Sequence, residues 1–165
     1  MKNFCAITAI TVFLQFCLNG VQAQTVTTNL DQIKLGQVWV GTWQHEKNKD
    51  TLEVVEIQRY GNAFLSDHSI VINGKKSLQF TESYGISSEE GTYKGFVLLV
   101  SGDYITWLGS FTTENKFCAD IVQNFNPATV EAKWEFEFET PINYTATLFS
   151  KDGEKIGAWK WTKVK

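Results

Sequence analysis

From residue 129 to 139, Val130, Ala132, Trp134, Phe136 and Phe138 alternate without a miss against Glu131, Lys133, Glu135, Glu137 and Glu139. A period of two with one dry and one wet face predicts a β-strand. It also predicts antiparallel neighbours, because parallel strands buried on both faces read as continuous apolar runs. Similar stretches at 39–44, 51–60, 63–72, 75–85, 92–100, 104–112, 116–125, 143–150 and 155–164 bring the expected strands to ten.

Short turn signals separate them: Gly61-Asn62, Asn73-Gly74, Ser101-Gly102-Asp103, Glu114-Asn115, Asn126-Pro127, Thr140-Pro141 and Asp152-Gly153. Their spacing is that of a meander, and no gap between strands has room for a crossover helix. Only 28–37 reads as helical, with Asn29 or Thr28 as cap, Asp31 in the first turn and Gly36 as stop. The expected fold class is therefore all-β: an up-and-down antiparallel barrel of about ten strands with a short N-terminal helical turn. Closure removes the exposed edges that ten sequential strands would otherwise leave.

At the N-terminus, Lys2, the apolar run from Ala6 to Leu18 and the small-x-small triplet Val21-Gln22-Ala23 read as a signal peptide over 1–23. The expected organisation is then a segment at 24–37 and a barrel domain at 38–165, exported to the periplasm or secreted, with no permanent membrane span. The exported chain would keep one thiol, Cys118, so its stability would rest on its core and not on an internal disulfide. Of 15 basic residues only Arg59 is arginine, and the net charge is −3. Nucleic acid is therefore not an expected partner.

Several features resemble one family. Gly41-Thr42-Trp43 is similar to the G-x-W signature on the first strand of lipocalin-like barrels. Lys49-Asp50-Thr51, Phe111-Thr112-Thr113 followed by Asn115-Lys116, Asn126-Pro127, then Ala132, Trp134 and Phe138, and the closing Thr162-Lys163-Val164-Lys165 extend the likeness. Together they resemble a family of small exported bacterial proteins with a lipocalin-like, calycin-type barrel. That resemblance implies that Gly41 and Trp43 form the barrel base, with Lys160 or Lys163 covering the tryptophan, and that the interior binds a small, mostly apolar molecule.

The residues themselves permit such a cavity, since a barrel of eight or more strands is wide enough either to be filled by side chains or to hold one ligand. The expected wall comprises Leu78, Phe80, Tyr84, Trp107, Phe111, Trp134, Phe136 and Phe138, with Ile105 beside them. Whether these rings enclose space or fill it is left open by the sequence.

His68 and Glu82 are the candidate polar anchors, and their facing hangs on one turn. If Asn73-Gly74 forms a two-residue loop, residues whose numbers sum to 147 pair, and His68 opposes Gln79. If a bulge intervenes, even pairs with even. His68, Phe64 and Ile70 then share a face with Leu78, Phe80 and Glu82, placing an acid/base pair or ligand anchor in an apolar wall.

No catalytic motif, metal-ligand spacing or phosphate loop is present in the sequence, and no cofactor or metal is expected. His45 reads as an ordinary surface or turn histidine, and Cys118 as an outward or rim residue on the opposite parity from Phe117 and Ala119. Three functional classes follow: a carrier or sensor of a small apolar ligand, an enzyme acting on a lipid-like substrate in the same cavity, or an exported protein-binding or inhibitor module.

Overall fold

A computed structural model describes residues 29–87 and 89–165; the expected signal segment at 1–23 lies outside these. The described chain begins with a short α-helix, α1 (Gln32–Leu35), which runs into a 3-10 turn (Gly36–Trp39). Ten strands follow: β1 (Gly41–Asn48), β2 (Thr51–Tyr60), β3 (Ala63–Ile72), β4 (Lys75–Ser87), β5 (Thr92–Leu99), β6 (Tyr104–Thr113), β7 (Lys116–Val122), β8 (Ala132–Thr140), β9 (Asn143–Ser150) and β10 (Lys155–Lys163). Each pairs antiparallel with its sequence neighbours, and β10 returns to β1, so the sheet is a closed up-and-down barrel. This architecture is consistent with a calycin-like fold.

Two expectations at the N-terminus need correction. The cap of α1 is Asp31, whose carboxylate accepts from the Lys34 backbone N–H at 2.9 Å, rather than Thr28 or Asn29. Gly36 caps the C-terminal end of α1 as expected and opens the 3-10 turn, to which Trp39, read as the start of the first strand, belongs. The aromatic side chain is buried either way, so the apolar pattern could not tell a buried turn from a buried strand.

The β3–β4 hairpin contains both registers considered above. Asn73 and Gly74 both have positive φ (49° and 78°), the signature of a tight two-residue hairpin turn. From Ile72–Lys75 to Ser69–Leu78 the paired numbers sum to 147. The ladder then slips at a β-bulge, Gln79 is left over, and from His68–Phe80 to Ala63–Gly85 the sum is 148. One extra residue flips the facing of everything beyond it. His68, Ser66 and Phe64 thereby come to share the inner face with Phe80, Glu82 and Tyr84.

The two barrel ends differ. The hairpins following β2, β4, β6 and β8 lie at the end that α1 and the 3-10 turn plug from inside. Trp39, Trp43, Phe64, Tyr93, Phe111, Phe117, Phe138 and Tyr144 belong to one buried cluster there. Trp43 is completely buried (0% exposed). Toward the opposite end the interior is open.

Candidate functional site

The base is held by hydrogen bonds that leave little freedom in the plug. Gln32 exchanges two bonds with the backbone of Phe111, its amide nitrogen donating at 2.9 Å and its amide oxygen accepting at 2.7 Å. The Tyr93 hydroxyl donates to the Gln32 carbonyl at 2.6 Å, and burial pushes that phenol up to about 12. The Trp43 indole N–H donates to the Trp39 carbonyl at 2.7 Å. Lys163, paired with Trp43 across the closing seam, places its ammonium 5.1 Å from the indole centroid and donates to the Val38 carbonyl at 3.1 Å. Burial lowers the Lys163 pKa. Gly41 has a φ of 130°, a conformation that residues with a side chain rarely adopt, and a Cβ there would sit 2.3 Å from the Lys165 carbonyl oxygen, so the seam closes only over a glycine.

Above this base lies a cavity of about 820 Å³, within the range of small-molecule sites. Phe80, Tyr84, Trp107, Trp134 and Phe136 line it, together with His68 and Glu82. Three expected wall residues do not. Phe111 (0% exposed) and Phe138 are consumed by the base, where Phe138 packs edge-on against Trp39 at 4.7 Å. Leu78 lies on the turn side of the bulge, opposite Ser69, and is 46% exposed outside the cavity. The parity that points Phe80 inward does not carry through the extra residue to Leu78. The interior is thus filled at one end and open at the other.

Residues not singled out beforehand complete the wall: Trp39, Tyr144, Trp159 and Trp161. The last three alternate with polar neighbours along β9 and β10, a signal that was present in the sequence; Trp39 had none, since its place depends on the plug turning inward.

The polar part of the wall is one connected group. The Ser66 hydroxyl donates to one Glu82 carboxylate oxygen at 3.2 Å and lies 3.2 Å from His68 Nε2. His68 Nε2 is 3.5 Å from the same Glu82 oxygen, and its ring stacks on Phe80 with centroids 4.0 Å apart. The other Glu82 oxygen accepts from the Trp107 indole N–H at 2.5 Å. Trp107 can lie this way because β5 carries Gly95 opposite it; a Cβ at Gly95 would fall 1.9 Å from the indole. Burial first, and then the charge of Glu82, raises the pKa of Tyr84 well above that of a free phenol, and the same two causes raise Tyr144. Both phenols are held neutral.

This group is not a serine-based relay. Such a relay needs the imidazole to bridge nucleophile and acid through its two different nitrogens, whereas one nitrogen, Nε2, faces both Ser66 and Glu82 here. Ser66 is also only 1% exposed.

Elsewhere the chemistry is sparse. His45 sits within β1 rather than in a turn; its Nδ1 lies 2.9 Å from the Lys160 carbonyl and its ring 5.5 Å from Trp161. Cys118 faces Ser110 and Glu135 across neighbouring strands, contacts the Thr112 hydroxyl at 3.9 Å, and is made less acidic by burial. Among the described residues no group of three or more His, Cys, Asp or Glu could hold a metal ion, and no helix is long and apolar enough to cross a membrane. At the open end Ile72, Leu78, Leu98, Val100, Tyr104 and Ile156 are exposed, an apolar rim carried by strand ends.

No protein-family model matches the chain, and no curated protein matches it.

Proposed function

We propose that the protein is an extracytoplasmic carrier or sensor of a small, mostly apolar molecule held inside the barrel, as in lipocalin-like proteins. The observation that carries this reading is the cavity itself. About 820 Å³ of largely apolar space persists above a base that already contains enough aromatic rings to close the barrel. A core built for stability alone would fill that space, because interiors otherwise pack to crystal-like density.

The test is a titration of purified protein with the neutral dye N-phenyl-1-naphthylamine, followed by quenching of cavity tryptophans, with native mass spectrometry to detect molecules that co-purify. One dye per chain is expected, and Phe136→Trp, which adds volume to the wall, should weaken it without unfolding the protein. Absence of dye uptake would refute the reading.

A second reading, an enzyme acting on a lipid-like substrate, is favoured by the pairing of His68 and Glu82 within the cavity wall. Turnover lost in both His68→Ala and Glu82→Gln would select it over the carrier.

A further inference from the structure

The reading above leaves the ligand's polar end unassigned, and the charges in the wall address it. Four lining residues carry acidic or basic side chains: Lys47, Glu53, His68 and Glu82. Lys47 and Glu53 pair with each other at 3.3 Å. Glu82 has no lysine or arginine within ion-pair distance among the described residues; its neighbours are the Ser66 hydroxyl, the Trp107 indole N–H and the His68 ring. Both of its oxygens accept hydrogen bonds, an arrangement suited to a carboxylate, since an indole N–H can only donate.

Around this carboxylate the wall offers acceptors and ring faces and lacks an unpaired cation. The hydroxyls of Tyr84 and Tyr144 make no hydrogen bond within the described protein, and neither is sealed from the cavity. Tyr84 lies two residues from Glu82 on the same face of β4 with its ring centroid 5.6 Å from that of Trp107, while Tyr144 lines the cavity from β9 across the barrel. Neutral phenol oxygens accept from an ammonium, and aromatic faces attract cations through their quadrupoles. An anionic head would meet the Glu82 charge in a setting of low dielectric, where like charges repel strongly.

Resting on the carrier reading, we infer that the ligand is an amine: an apolar body with a single ammonium head, seated against Glu82 with Tyr84 and Trp107 beside it.

Competition for bound N-phenyl-1-naphthylamine by decylamine, decanol and decanoate tests this, because the three share one apolar body and differ only in the head. Decylamine should displace the dye at concentrations about tenfold lower than decanol, and lower still than decanoate. In Glu82→Gln, which keeps an acceptor for Trp107, the amine's advantage should vanish, with decylamine and decanol displacing the dye at concentrations within about twofold of each other. Equal competition by decanol or decanoate in the wild type would overturn the inference and leave the carrier reading standing, as would an undiminished amine preference in Glu82→Gln. Should that variant fail to fold, the wild-type ranking alone decides. Failure of the dye itself to bind would remove both.

Discussion

Trp43 shows how much one side chain does at the base. It is fully buried, bonds the Trp39 carbonyl and lies beneath the Lys163 ammonium. Trp43→Ala should cost about 3 to 5 kcal/mol, the range for a large buried aromatic, read from denaturant melts. Trp43→Phe should cost less, about 1 to 3 kcal/mol, chiefly because the Trp39 carbonyl loses its donor. The buried tyrosines make a pH prediction. Tyr84, Tyr93 and Tyr144 all hold their protons more tightly in the fold than a free phenol does, Tyr93 to about 12. Above pH 10 the unfolded chain releases these protons first, so stability falls as pH rises from about 10 through 12. Phenolate absorbance from these three should therefore appear together with loss of the fold rather than before it. The resemblance to lipocalin-like barrels implied that Trp43 and its glycine belong at a barrel end, but the choice of Lys163 over Lys160 as its cover was settled only by the pairing of β1 with β10.

Among the elements, β8 is the one whose sequence most fully specifies its facing. Trp134, Phe136 and Phe138 point inward, and Glu135 bridges Lys116 at 2.8 Å and Lys133 at 3.2 Å on the outer face. Trp134→Glu should cost about 3 kcal/mol, placing an unpaired charge on the apolar wall. Glu135→Lys gathers three ammonium groups on the surface and should cost only about 1 kcal/mol, with most of that cost disappearing at high salt. Equal losses would contradict the facing. The β3–β4 hairpin is the opposite case: its turn was legible in Asn73-Gly74, yet the slip at Gln79 was not. Bulges answer to the curvature and closure of the whole sheet, which no local pattern encodes. Both halves of the hairpin are locally acceptable as strands, and closure selects where they slip.

For the whole molecule, the division into a packed base and an open upper half gives a thermodynamic expectation. A ligand that binds only the folded barrel at a free concentration of 100 times its Kd should raise stability by about 2.7 kcal/mol. The gain is checked by denaturant melts of the bound and free protein, and it should shrink in Phe136→Trp. The alternation of apolar and polar residues, with the short turn signals between strands, was sufficient to determine about ten strands, their antiparallel order and closure into a barrel, because each strand must hide one face and ten sequential strands have no cheaper way to lose their edges. It also placed Phe80, Tyr84, Trp107, Trp134 and Phe136 inward, although the same parity placed Leu78 inward too, which the bulge reverses. What the tertiary structure decided was depth along the axis and the partners met there: that Phe111 and Phe138 belong to the base, that Trp39 folds in to plug it, and that Ser66, His68, Glu82 and Trp107 converge on one wall. Alternation records only inside and outside; height within a barrel follows from the stagger of strands and the placement of a single bulge, and these are properties of the closed sheet.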